Sequence, residues 1–118
     1  MAETRSARST IVWILSVLLA ALFLFAGVQK VLGIGEAPQH FADWGYPAWF
    51  RVLIGLIEVG GGVALLIPSA AVYAVTALTA VMLGAIYTHL TKAAPGVAIP
   101  IVCLILLAII GSRRRRTA

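Results

Sequence analysis

Residues 11–29 hold no charged side chain, and the first to appear is Lys30. As a helix, an apolar run over 11–31 is ~30 Å long at ~1.5 Å per residue, which matches the hydrocarbon thickness of a bilayer. Further apolar runs follow at about 48–67, 71–90 and 97–111. In lipid each segment must satisfy its own backbone polar groups, so isolated apolar runs of this kind span as helices. The fold class read from the pattern is therefore all-α, an integral membrane four-helix bundle.

Composition rules out the soluble alternative. Of 118 residues, 62% are hydrophobic and 11% charged, against roughly a quarter charged in a soluble domain. A secretory signal peptide also begins with basic residues and an apolar run, as Arg5 and Arg8 ahead of Ile11 do here. This run is longer than the usual ~7–15 residues of a signal core, and more spans follow it. Pro68 and Ser69 end the second run, because proline cannot continue the helical hydrogen-bond ladder, and Pro100 blurs the start of the fourth. The domain reading is an N-terminal tail over 1–10, one membrane domain over 11–111, and a basic tail over 112–118, read as a stop signal with a disordered end.

The net charge of +5 is not a nucleic-acid footprint, since the basic residues are not spread over a binding face. Arg113 to Arg116 form one block, and Arg5 and Arg8 precede the first span. The opposite loops hold Lys30, Arg51 and Lys92, offset in part by Glu36 and Asp43. The positive-inside rule then puts both termini in the cytoplasm, consistent with an even number of spans. Between the first two spans, Trp44, Tyr46, Trp49 and Phe50 read as an interfacial belt.

The chain has a single cysteine, Cys103, in an apolar run, which excludes a disulfide framework or a CxxC pair within the chain. The informative residues are instead ionisable groups within or at the ends of spans, each costing about 2.5–3.5 kcal/mol at mid-helix unless partnered or hydrated. They are Lys30, Arg51, Glu58 and His89. With the N-terminus inside, Lys30, Arg51 and His89 lie toward the outer leaflet, and Glu58 lies about 10 Å deeper than Arg51 on the same helix. The four can converge on one outward-facing polar pocket. Glu58 either pairs with Lys30 or Arg51 and fixes helix register, or exchanges protons or binds a ligand. His89 either bonds a carbonyl or headgroup, or ligates a metal or haem. Lys30 and Arg51 can also snorkel on their long stems.

Small residues mark expected helix contacts. Gly55, Glu58 and Gly62 share a face of the second helix with Arg51, Ala26 and Gly27 precede Lys30 by one turn, and Ala80, Gly84 and Thr88 make a stripe on the third.

These residues also form phrases. Phe25-Ala26-Gly27-Val28-Gln29-Lys30 closes the first span and Trp44-Gly45-Tyr46-Pro47 opens the second. Gly55-Leu56-Ile57-Glu58, Gly60-Gly61-Gly62 and Leu65-Leu66-Ile67-Pro68 run through the second, and Gly84-Ala85 with Thr88-His89 lies in the third. In order and spacing the chain resembles the DoxX-like family of small bacterial membrane proteins. That resemblance implies a four-helix membrane fold in the bacterial plasma (inner) membrane, with Lys30, Glu58 and His89 at the family's polar motif positions. Relatives look like small subunits of a thiosulfate:quinone oxidoreductase or are linked to oxidative-stress complexes, which implies a quinone as cofactor and membrane or oxidoreductase subunits as partners.

An enzymatic activity of the isolated chain does not follow, since it lacks a thiol pair, a twin-histidine haem arrangement and a nucleotide fingerprint. The reading is a binding or accessory subunit in the lipid bilayer, with a homo-oligomer among its assemblies. Its rivals are a quinone-binding redox subunit and a small proton-coupled transporter.

Overall fold

The computed structural model describes residues 2–117, with the side chains of residues 9–114. Among them the fold is all helical: α1 (Ala2–Leu32), α2 (Ala37–Asp43), α3 (Ala48–Leu65), α4 (Ala71–Thr91) and α5 (Ala98–Thr117). Three are long and apolar enough to cross a membrane, over Ser9–Leu32, Ala48–Leu65 and Ala71–Thr91. Outward-facing Leu18, Phe25, Tyr73, Leu83 and Leu90 are each more than half exposed, an apolar coat that lipid would cover.

Several boundaries differ from the sequence reading. The first helix begins at Ala2, so the stretch read as a tail continues the helical ladder. At the other end α5 runs on to Thr117, so the arginine block is helical rather than a disordered end. The side chains of Arg5, Arg8, Arg115 and Arg116, on which the orientation argument leans, lie outside the described side chains. The polar stretch between the first two spans contains a helix, α2, whose seven residues are too few to show a helical period.

Turns are set by backbone chemistry. At the end of α1, Gly33 takes φ +67° and the Ile34 N–H reaches the Gln29 carbonyl at 3.0 Å, a left-handed helix stop that suits glycine. At the end of α4, Ala93 takes the same conformation at φ +52°, and the Ala94 N–H donates to the His89 carbonyl at 3.0 Å.

The long helices form a ring in which α1 packs on α3, α3 on α4, α4 on α5, and α5 returns to α1. Glycines let the α1–α3 seam close. A Cβ on Gly27 would stand 2.8 Å from the Gly55 carbonyl oxygen, and one on Gly55 2.8 Å from that of Gly27. On the next turns of α3, Gly62 faces α1 at Ala20 and Leu24, while Gly61 receives the Leu78 side chain of α4. Solid core fills only part of the ring: Leu19, Phe23, Leu65, Leu78, Leu107 and Ile110 are almost fully buried and mutually packed. Arg114 fastens α5 to α1 at that end. Its guanidinium lies 3.9 Å from the Trp13 ring centroid and donates to Ser16 Oγ at 3.3 Å.

Candidate functional site

Toward α2 the helices part around a cavity of about 830 Å³, lined from all five helices. This is the size of a small-molecule site, and the wall is largely apolar, built from Leu22, Phe23, Ile54, Ile57, Val81 and Met82 among others. The short helix α2 contributes Ala37, His40 and Phe41 to the lining, and Trp44 follows just after it. Its Pro38 sits in the first turn, where the missing N–H costs nothing.

Deep in the cavity, Lys30 Nζ stands 2.8 Å from Glu58 Oε1, with the two side chains 19% and 3% exposed. Oε1 has no other partner. Glu58 is ten residues into α3, about 15 Å along the helix axis, so the carboxylate sits near the middle of that helix, and Lys30 reaches it from the last turn of α1. The close Gly27–Gly55 crossing makes it possible, because the Lys30 stem lies directly against Gly55, with its Cβ 2.8 Å from where a Cβ on that glycine would be.

Nearer α2, a relay of hydroxyl groups ties the loop before α3 to α4. Thr88 Oγ1 donates to the Gly84 carbonyl at 2.9 Å, which uses its one hydrogen, so Tyr46 Oη is the donor in the 2.7 Å Tyr46–Thr88 bond. His89 Nδ1 lies 3.4 Å from the Ala94 carbonyl, an acceptor only. An Nδ1–H faces that carbonyl, and Nε2 has no hydrogen-bond partner among the described residues. Trp44 meets this ring edge-on at 5.7 Å and stacks on His40 at 5.7 Å.

Of the four sequence-predicted residues, Lys30, Glu58 and His89 line the cavity, and Arg51 does not. The Arg51 guanidinium packs against Gly33 instead, its Nη1 2.9 Å from a Cβ position there, and its Nε is buried without a hydrogen-bond partner. An arginine in the first turn of α3 lies level with the end of α1, about two turns above the carboxylate, and turns to Gly33 instead. The expected small-residue stripe on α4 also differs. Gly84 and Ala80 are exposed and line the cavity rather than a helix seam, and a Cβ on Gly84 would meet nothing within 4 Å. Sequence reasoning missed Cys103 and Tyr46 as cavity residues. Among the described residues no cluster of three or more histidine, cysteine or acidic groups could hold a metal ion.

A sequence profile described as the DoxX-like family matches residues 14–110. This chain belongs to the DoxX-like family. It is also 31% identical over 107 residues to an uncharacterised protein, YdgD, of Bacillus subtilis (strain 168), covering 83% of this chain and 94% of that protein. No solved structure matches. This DoxX-like chain is accordingly a membrane protein of unassigned activity, with helices that contact the lipid bilayer.

Proposed function

We propose that this DoxX-like protein is a ligand-binding or accessory subunit of the bacterial inner membrane, and that the cavity around Lys30 and Glu58 is its working site. In this reading residues 11–111 form one membrane domain of four spans. α5 supplies the fourth, and the cytoplasmic flanks are 1–10 and 112–118. Basic residues outside the spans cluster at the two chain ends, so the cavity and α2 face outward. His89 and Lys30 then offer hydrogen bonds to a ligand, and Arg51 stands at the interface beside the entrance.

One observation carries the reading: a buried carboxylate in the middle of α3, paired with Lys30, in the wall of a cavity of about 830 Å³. A pair that served only to fix register would be stabler with its surroundings closed over it, since packed helices exclude water from a costly charge. Here α1 and α3 close on each other at the pair, and the cavity beside it is walled on the other side by α4 and α5.

A quinone is a second reading, favoured by the Trp44–His89 ring pair at 5.7 Å and by the Lys30 ammonium as a donor to a carbonyl. The electrons would then come from a partner subunit. A proton-coupled transporter fits less well, because the one carboxyl group in the spans is already engaged by the Lys30 side chain at 2.8 Å.

The test is native mass spectrometry of protein gently extracted from its own membrane, with Gly84→Phe beside it. The phenyl ring would occupy the cavity from a position where added atoms meet nothing within 4 Å. A small molecule retained by the parent and lost from the variant supports the site and gives the ligand's mass, a quinone's included. Bare protein in both spectra refutes it.

A further inference from the structure

The polar atoms along the cavity divide into those already satisfied and those with capacity left. The Tyr46–Thr88–Gly84 relay is complete within the protein, each hydrogen having an acceptor. The His89 ring is tethered to the turn after α4 through Nδ1 alone, and Gln29, Glu36 and His40 also line the cavity, with Glu36 facing His40 at 3.7 Å and both exposed. Lys30 and Glu58 differ: an ammonium has three hydrogens and a carboxylate about four lone-pair sites, and each is engaged by the other alone.

Net charge then decides what can join them. An anion drawn to Lys30 would compete with Glu58 and leave two negative groups beside one positive, in apolar surroundings. A cation drawn to Glu58 would leave the mirror imbalance. A neutral head group that accepts from the ammonium and donates to the carboxylate adds hydrogen bonds while the pair stays intact. Above this pair α3 lines the cavity with Phe50, Leu53, Ile54 and Ile57, an apolar wall that suits an apolar tail.

Resting on the cavity being a ligand site, we infer that it selects an uncharged amphiphile whose head carries a donor and an acceptor on neighbouring atoms, such as a carboxamide or a vicinal diol. The ion pair acts as a charge filter: it excludes both signs and reads hydrogen-bonding capacity.

Three probes with the same tail test this: dodecanamide, dodecanesulfonate and dodecyltrimethylammonium, each added at low stoichiometry to the protein in neutral detergent and read as adducts by native mass spectrometry. Dodecanamide should be retained more than either permanently charged probe by on the order of tenfold or more. The preference should follow the pair: Glu58→Gln, which leaves Lys30 unbalanced, should turn it toward the sulfonate, and Lys30→Gln toward the ammonium. Adducts should vanish in Gly84→Phe. Retention of a charged probe at least equal to dodecanamide by the parent protein overturns the charge filter and leaves the cavity reading standing. No adduct with any probe overturns the cavity reading itself. If either single variant fails to fold, the parent protein's series alone decides. Short, water-soluble hexanamide separates the sources: weaker retention than dodecanamide assigns the ligand to the bilayer, and equal retention assigns it to water. Either result upholds the neutral head.

Discussion

Lys30 and Glu58 are each costly alone in lipid and tolerable together, so their energetics show only when they are separated. Lys30→Met or Glu58→Leu alone should lower stability by about 3–5 kcal/mol by stranding a charge. The double variant should recover most of that loss, and melting curves in detergent give the coupling energy directly. Losses that simply add would show that the pair contributes no coupling. A smaller effect belongs to Tyr46→Phe, which removes the donor to Thr88 and should cost about 1 kcal/mol, measured in the same melts. The sequence made Lys30, Glu58 and His89 legible because an ionisable group in an apolar run stands out by chemistry alone. It could not separate Lys30 from Arg51 as the partner, since a sequence does not set the level at which α1 runs beside α3. The choice is made by how closely α1 and α3 approach.

That approach is a property of elements, and it turns on glycine. Gly55 faces a backbone carbonyl that cannot move aside, whereas a Cβ on Gly60 would meet nothing within 4 Å. Gly55→Ala should therefore destabilise by roughly 1–3 kcal/mol through overpacking, while Gly60→Ala should be neutral or stabilising by up to about 1 kcal/mol through helix propensity. A thermal-shift comparison of the two checks this, and equal effects would remove the close crossing from the account. The same letter thus means a contact on α3 at Gly55 and an open wall on α4 at Gly84. A small residue permits close approach without requiring it, which is why the α4 stripe read as a seam. The apolar spans Ser9–Leu32, Ala48–Leu65 and Ala71–Thr91 were legible to within a few residues, because hydrophobic length is their cause, whereas the extension of α1 back to Ala2 was not. Helix α2 was not, since its seven residues owe their shape to Pro38 and to Phe41 packing beneath the loop.

At the scale of the whole molecule, the ring of helices is solid around Leu65, Leu78, Leu107 and Ile110 and open toward α2. Nothing in a sequence distinguishes an apolar residue that faces another from one that faces a void, so the cavity appeared only with the structure. Voids yield to pressure, and their elimination is part of why pressure unfolds proteins. With its void gathered at one end, this molecule is unevenly compressible. Squeezed while empty, it gives way around Glu58 and Gly84, and the half that Arg114 fastens keeps its volume. An occupant would stiffen the soft end, so the protein's mechanical response reports whether it is loaded.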